Sequence, residues 1–317
     1  IFIRPGVKLE EYKQEKKRGR KRAMRVIFIG DLVGGKAARA AAAWTAEVKK
    51  KACADFVIIN AENAAGGRGL KRAQAAELLE AGADVLTLGN HAWGSSSLMK
   101  HIKSEERILR PGNVPAAWPG RSSLTVEKDG MKLRVLCLLG QVYMRPYLSP
   151  FAFAEDFLAE QEKEEEPVPL LIDFHAEATA EKQAFAAFCD GRAALVLGTH
   201  THVQTADERI LPGGTGYISD VGMTGPPHSA IGLHKEASLR RLTEQPPTAY
   251  RLADGPMILS AVLADIDRNG RCRYIKRIQI REEEAASEQA EYADKLPNLP
   301  DCPRQRRRES NGSQERE

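Results

Sequence analysis

The chain has 317 residues, of which 42% are hydrophobic and 28% are charged, and its formal net charge at pH 7 is +4. This length and composition exclude a wholly disordered chain and predict one large domain, or two small ones, with a hydrophobic core. No run approaches the roughly 20 apolar residues of a membrane span, and no signal-peptide core follows the N-terminus, so we expect a cytoplasmic protein without a membrane partner.

The charge is distributed unevenly along the chain. Residues 1–23 hold nine basic and three acidic residues, and residues 281–317 hold seven basic and ten acidic ones. The region between them is close to neutral, so its charge does not favour RNA binding, although a basic arm that contacts RNA or anionic lipid remains a less favoured alternative. We expect residues 1–23 to be a basic extension outside the fold, residues 24–281 to form the folded domain, and residues 282–317 to be a charged, disordered tail.

Apolar, β-branched runs alternate with helical stretches through the folded part. Strands are predicted within residues 25–30, 55–60, 84–89, 168–173 and 194–199, and helices within 37–51, 72–82 and 179–189. Two hairpins are predicted, over residues 124–140 with an Asp-Gly turn and over 257–280 with an Asn-Gly turn. The pattern therefore predicts an α/β protein with mixed sheets. The segment 141–167 begins as an irregular Pro-rich stretch and becomes an acidic helix, which we interpret as a solvated face rather than a substrate-binding cap.

Side chains that can bind metal follow each of the five apolar runs that predict strands. They are Asp31, Glu62 with Asn63, Asn90 with His91, His175, and His200 with His202. One such residue after a strand is ordinary turn chemistry. Five instances together predict a site beyond the carboxyl ends of the strands, where ligands bind in open α/β sheets.

The donor set favours two metals that share a carboxylate, because it exceeds the four ligands of one tetrahedral zinc. The five cysteines lie far apart and form no C-x-x-C pair, so they indicate neither a disulfide framework nor a thiolate metal site. Nitrogen and oxygen donors with three imidazoles fit iron, manganese or zinc better than calcium or magnesium. His200 and His202 would point to the same side in a continuous strand, so the pair alone predicts that both bind the same ligand.

The motifs "FIGDLVGG", "IINAENAAGGRGL", "LGNHAW" and "GTHTHVQTADERI" resemble those of the calcineurin-like metallophosphoesterases, and more closely those of the YmdB-like family. The resemblance runs from Met24 to about Ile280. It implies a fold in which helices sandwich mixed β-sheets, with a dinuclear metal site at the carboxyl ends of the strands.

The resemblance also implies a ligand set, in which Glu62 bridges two transition metal ions, divalent or trivalent. Iron or manganese is implied, with zinc as the alternative. One ion would be held by Asp31, Glu62, Asn63 and His202, and the other by Glu62, Asn90, His175 and His200. The wider superfamily has D-x-H as its first motif, whereas Asp31 is followed here by Leu32 and Val33, and Asn63 takes the place of the missing histidine. His200 and His202 can serve different metals only if the strand ends before them.

The activity that the resemblance implies is hydrolysis of a small phosphodiester, a cyclic nucleotide of the 2′,3′-cyclic AMP type, by a hydroxide between the two metals. His91 would be the general acid, with a purely structural role as its alternative. A phosphomonoesterase or nucleotidase on the same site, and a regulatory RNA- or protein-binding protein with a vestigial site, are the other hypotheses.

Asp173, Glu177 and Asp220 would either orient the imidazoles or serve in ordinary capping or salt bridges. A homo-oligomer is compatible with the sequence.

Overall fold

In the computed structural model of the chain, the described residues are 23–246 and 248–282. The predicted extension and tail lie outside the described residues, apart from Ala23 and Glu282. The described helices are α1 Gly34–Ala52, α2 Arg72–Glu80, α3 Ser96–Met99, α4 Pro150–Gln161, α5 Thr179–Phe188 and α6 Lys235–Leu242. The described strands are β1 Met24–Ile29, β2 Asp31–Leu32, β3 Phe56–Asn60, β4 Val85–Thr87, β5 Ile108–Leu109, β6 Ser123–Lys128, β7 Met131–Leu139, β8 Leu170–His175, β9 Leu195–Thr199, β10 Arg209–Ile210, β11 Gly216–Ile218, β12 Met223–Thr224, β13 Ile258–Ile266 and β14 Cys272–Arg281.

The strands form two mixed six-stranded sheets and one short pair. The first sheet has the order β14-β13-β1-β3-β4-β5, in which β1, β3, β4 and β5 are parallel, β13 is antiparallel to β1, and β14 is antiparallel to β13. The second has the order β10-β11-β9-β8-β7-β6, with parallel pairing from β11 to β7. Strands β2 and β12 form the short pair. The prediction of mixed sheets is confirmed.

The two sheets pack face to face, with helices on both outer faces. Alternation along β1 shows the arrangement, because Ile27 and Ile29 join a core with α1 and α2, while Val26 and Phe28 join a core with the second sheet. A third core lies between the second sheet and the helices α4 and α5, where Phe185 enters it. The result is a four-layer α/β/β/α sandwich, in agreement with the helix-sandwiched sheets predicted from the sequence.

Both predicted hairpins form. Lys128 pairs with Met131 across a two-residue turn in which Asp129 and Gly130 have φ angles of 50° and 72°, as the Asp-Gly signal of a type I′ turn predicts. The short strands β2, β5, β10, β11 and β12 were not predicted, because two or three residues are too few to show a periodic pattern.

The parallel strands of both sheets have their carboxyl ends at the same edge of the sandwich. Asp31 follows β1, Glu62 follows β3, and His175 is the last residue of β8, where it pairs in register with Thr199 of β9. No helix within the described ranges is both long enough and apolar enough to cross a lipid bilayer.

Candidate metal centre

The structure brings the predicted metal-site residues together at this edge. Asp31, Glu62 and His175 are completely buried, and Asn63 is almost completely buried. Potential ligand atoms of Glu62, His175 and His200 all lie within 4.8 Å of one another. The loop glycine Gly89 makes this approach feasible, because a Cβ atom there would lie 2.3 Å from Glu62 Oε2 and 2.4 Å from the His175 ring.

One group of donors converges on Nε2 of His175. This nitrogen lies 2.9 Å from Asn90 Oδ1, 3.0 Å from Nδ1 of His200 and 3.2 Å from Glu62 Oε1. These four residues are the set that the resemblance implies for one metal.

The other ring nitrogen of His175 is held by a chain of hydrogen bonds. The hydroxyl of Thr199 donates to Asp173 Oδ1 at 2.7 Å, so its oxygen accepts from Nδ1–H of His175 at 2.9 Å. Asp173 is itself fixed by donation from the Asn60 amide at 2.9 Å and the Thr87 hydroxyl at 2.5 Å. The proton of neutral His175 therefore lies on Nδ1, and the lone pair of Nε2 faces Glu62 and Asn90.

His200 is oriented in the same manner by Glu177. Its Nε2 lies 3.1 Å from Glu177 Oε2, so Nε2–H donates to that carboxylate and the lone pair of Nδ1 faces Nε2 of His175. Two imidazole lone pairs, a carboxylate oxygen and an amide oxygen thus face one another. Such a group of acceptors attracts a cation.

A second group of donors lies around His202 and Asn63. Nδ1 of His202 donates to the carbonyl oxygen of Ile231 at 2.8 Å, which directs Nε2 toward Asn63 Nδ2 at 3.2 Å. The amide nitrogen of Asn63 also donates to Glu62 Oε1 at 3.0 Å, while its Oδ1 lies 2.7 Å from Nδ1 of His91. The oxygen of Asn63 therefore faces His91, and a half-turn of the amide would direct it to Glu62 and His202 instead.

Asp31 is the residue whose surroundings most clearly suit a bound cation. Its Oδ2 accepts the backbone N–H of His200 at 3.1 Å, but its buried Oδ1 has no hydrogen-bond partner among the described residues. Burial raises the pKa of Asp31 to about 6, because water no longer stabilises the carboxylate. A buried, unpartnered carboxylate oxygen costs free energy, and a bound cation would remove that cost.

The electrostatics of the buried core of the site also favour positive charge. Burial opposes ionisation of Glu62, yet His175 and His91 hold the pKa of this carboxyl well below its ordinary value. Burial lowers the pKa of His175, but attraction to Glu62, Asp31 and Asp173 outweighs it and raises the pKa to about 9. The carboxylates therefore attract a proton where a metal cation would bind.

The strand ends before the two histidines of the T-H-T-H motif. Strand β9 stops at Thr199, and His200 and His202 adopt φ angles of 99° and 67°, a region that non-glycine residues rarely occupy. Asp220 holds this loop, because its Oδ2 accepts from the backbone N–H of Thr201 at 2.9 Å and from the Thr201 hydroxyl at 2.7 Å. The two imidazoles consequently belong to different donor groups, which strict strand alternation would not allow.

Several residues that orient the site were missed in the sequence. Thr199, Asn60 and Thr87 were not singled out, although each lies beside a predicted ligand or at a strand end. Lys182 was also missed, because a lysine within a helical stretch indicates an exposed residue. Within the described ranges, the cluster of candidate metal-binding groups whose ligand atoms lie within 4.8 Å of one another contains Glu62, His175 and His200, and it includes none of His91, His101, His202, His228 and His234.

A family model described as "YmdB-like protein" matches residues 27–278 of the chain. The chain belongs to the YmdB-like family. The resemblance seen in the sequence motifs is thereby confirmed, and membership of this metallophosphoesterase family implies divalent metal ions as cofactors, without identifying the metal.

Three known proteins show how far the similarity of this YmdB-like protein extends. A 2′,3′-cyclic-nucleotide 2′-phosphodiesterase from Bacillus subtilis is 41% identical over 261 residues, which cover 82% of this chain and 98% of the relative. The crystal structure of a novel phosphatase from Mycoplasma pneumoniae is 32% identical with a TM-score of 0.77, covering 83% and 95% of the two chains. The crystal structure of a hypothetical protein from Thermus thermophilus is 39% identical with a TM-score of 0.76, covering 82% and 100%. The predicted metallophosphoesterase fold is confirmed.

Proposed function

We propose that this YmdB-like protein is a metal-dependent phosphodiesterase that hydrolyses 2′,3′-cyclic nucleotides. The observation that carries the proposal is the convergence of two groups of ligand-type side chains on the buried carboxylate of Glu62. The name of the Bacillus subtilis relative, with which the chain shares 41% identity, supports the choice of ester.

The residues that would hold two metal ions are those predicted from the sequence. Asp31, Asn63 and His202 would hold one ion, Asn90, His175 and His200 the other, and Glu62 would contact both. When bound, the metal pair supplies Lewis acidity that stabilises charge on phosphoryl oxygens and lowers the pKa of a water molecule. The all-nitrogen and oxygen donor set supports iron or manganese, with zinc as the alternative.

The charges of the site explain why it would attract a phosphodiester. Asp31 and Glu62 contribute two negative charges, which is half of what two divalent ions carry, so the loaded centre is positive. A cyclic phosphodiester carries one negative charge at neutral pH and is drawn to such a centre.

His91 is positioned to donate a proton to the leaving oxygen. Its backbone N–H donates to Glu62 Oε2 at 3.1 Å, and its Nδ1 lies 2.7 Å from Asn63 Oδ1. These two contacts fix the ring beside the centre, while none of the hydrogen bonds within residues 23–246 and 248–282 uses Nε2. We propose that Nε2–H of His91 donates its proton to the 2′ oxygen as the bond between phosphorus and that oxygen breaks, while a water molecule loses one proton to solvent and its oxygen bonds to phosphorus. The products are then a 3′-monophosphate and a free 2′ hydroxyl.

A substrate comparison tests the proposed function. Purified protein loaded with manganese or iron would be assayed on 2′,3′-cyclic AMP, 3′,5′-cyclic AMP, and 2′- and 3′-AMP, with products separated by chromatography. We expect 3′-AMP to accumulate from 2′,3′-cyclic AMP without release of inorganic phosphate, and Glu62→Gln to abolish turnover. Phosphate release from the monophosphates would instead support the nucleotidase hypothesis, and turnover that survives Glu62→Gln would contradict catalysis at this centre.

A further inference from the structure

The loop that follows β7, residues 140–148, begins beside the metal centre. Leu139 at the end of β7 pairs in register with His175, and the backbone N–H of Gly140 donates to the carbonyl oxygen of His175 at 3.0 Å. The loop therefore leaves the sheet at a residue that contacts a candidate metal ligand directly.

Tyr143 in this loop is presented to solvent in a strained backbone conformation. Its side chain is 90% exposed and its φ angle is 60°. Nearby aromatic rings are packed instead, since Trp118 contacts Trp93 with ring centroids 4.3 Å apart and Tyr147 at 5.6 Å. A non-glycine residue held at positive φ costs free energy, and such strained residues cluster at active sites and ligand-binding loops.

The loop on which Tyr143 lies is fixed at its base. The carboxylate of Glu181, which is almost fully buried, accepts the backbone N–H groups of Gln141 at 2.7 Å and Val142 at 3.2 Å. The side-chain amide of Gln141 donates to the carbonyl oxygen of Tyr147 at 2.8 Å, which closes the loop. The exposure of Tyr143 is therefore a feature of an ordered loop and not of a frayed one.

The first turn of α5 fixes both this loop and the loop of residues 200–202, here called the histidine loop. Glu181 fixes the residues before Tyr143, and its neighbour Lys182 donates to Asp220 at 2.9 Å, the carboxylate that holds Thr201 between the two histidines. Two consecutive residues of one helix thus set the position of the tyrosine relative to the metal centre.

We propose that Tyr143 determines substrate specificity by stacking its ring on the nucleobase of the cyclic nucleotide. This proposal rests on the proposed function, which places the phosphate at the metals and leaves the base outside the buried site. Tyr143 lies three positions after Gly140, which limits the tyrosine to about 11 Å of chain from the edge of the centre. That reach is on the scale of one nucleotide, and an exposed aromatic ring binds any base through its π face.

Stacking predicts a particular pattern of substrate preference. Because the contact uses the face of the base and not its hydrogen-bonding edge, all four bases are accepted, and the larger purines stack more strongly than the pyrimidines. We therefore expect kcat/KM to be higher for the cyclic purine nucleotides than for the cyclic pyrimidine nucleotides.

The test compares two esters that differ only in the base. One is 2′,3′-cyclic AMP, and the other is methyl riboside 2′,3′-cyclic phosphate, which has the same cyclic phosphate and no base. We expect Tyr143→Asn, which removes the ring but tolerates positive φ, to lower kcat/KM for the nucleotide by about 5- to 150-fold. The same variant should change kcat/KM for the base-free ester by less than about 2-fold, and Tyr143→Phe should retain wild-type values on both.

Tyr274 offers a matched control, because it is an exposed tyrosine that pairs with Asp265 near the amino end of β1, at the opposite edge of the sheet from the metal centre. Tyr274→Ala should leave kcat/KM for both esters unchanged. Metal content and the melting temperature of Tyr143→Asn should match those of the wild type.

Two results would overturn the stacking proposal. Equal losses on both esters would show that the loop supports the metal centre, and no loss on either would show that the base binds elsewhere. A wild type that hydrolyses neither ester would contradict the proposed function itself. Calorimetric binding of 3′-AMP then separates the two ideas, since an affinity unchanged by Tyr143→Asn would overturn stacking independently of turnover.

Discussion

Lys182 and Asp220 form an ion pair with 2.9 Å between Nζ and Oδ2, and both side chains are almost completely buried beneath the loop that carries His200 and His202. A buried ion pair adds little net stability, because desolvation of both charges offsets their attraction. The ion pair instead fixes the position of the loop that carries the two histidines, because the same Asp220 oxygen also accepts hydrogen bonds from the backbone N–H and the hydroxyl of Thr201.

We predict that Asp220→Asn weakens both the fold and the metal centre. The substitution leaves the charge of Lys182 buried without a counter-charge, so we expect the free energy of unfolding to fall by about 3–5 kcal/mol. The loss of a strong acceptor should also release the histidine loop and weaken metal binding, measured by thermal unfolding and by metal titration.

The matched control for this prediction is the exposed ion pair between Lys163 and Glu160, whose side chains are 68% and 75% exposed. Lys163→Met should leave stability within about 0.5 kcal/mol of the wild type. Wild-type metal affinity in a destabilised Asp220→Asn protein would contradict the positioning role and leave only a structural one.

Thr199→Val tests the hydrogen-bond chain behind His175. Valine has nearly the same shape but neither accepts from Nδ1–H of His175 nor donates to Asp173, so the imidazole loses the contact that fixes its tautomer. We expect metal affinity to fall by about 10- to 100-fold. Thr199→Ser keeps the hydroxyl and should retain most of the affinity. Equal losses in the valine and serine variants, measured by titration, would show that packing and not the hydrogen bond matters.

Gly89→Ala should displace the shared carboxylate. The added Cβ would lie 2.3 Å from Glu62 Oε2 and 2.4 Å from the His175 ring, so one or both side chains must move. We expect occupancy of both metals to fall, as measured by elemental analysis. Gly35→Ala, in helix α1, is the control, because its Cβ would make only ordinary contacts, the nearest at 3.6 Å with the side-chain amide of Gln74. Full metal content in Gly89→Ala would contradict the close approach at this glycine.

The sequence predicted which side chains lie together at one edge of the sandwich better than it predicted which atoms they turn toward one another. Each predicted strand ended in a metal-competent side chain, and the structure brings those residues to one edge because parallel strands deliver their carboxyl ends together. The nitrogen that each imidazole turns inward could not be predicted, because Glu177 and the Ile231 carbonyl reach their histidines only in the fold. Glu181 and Lys182 were not singled out in the sequence, because charged residues in a helical stretch are usually exposed, yet both are buried here.

Glu62→Ala should affect both metals, whereas His202→Ala should chiefly affect one. The carboxylate of Glu62 faces both donor groups, while His202 belongs to the group around Asn63. We expect elemental analysis of the loaded proteins to show low occupancy of both ions in the first variant and close to one equivalent in the second. A fully active wild type with at most one equivalent of metal would contradict the dinuclear arrangement.

The proposed proton transfer from His91 predicts a dependence on the leaving group. A ribose alkoxide is a poor leaving group that needs a proton, so His91→Ala should lower kcat/KM for 2′,3′-cyclic AMP by about 10²- to 10⁴-fold. A nitrophenolate departs readily without one, so the same variant should lose far less on a nitrophenyl phosphodiester. Because Nδ1 of His91 contacts Asn63 and its backbone N–H contacts Glu62, metal content must be measured alongside the rates. Equal losses on both esters, or a loss of metal, would show that His91 orients the metal ligands and does not transfer the proton.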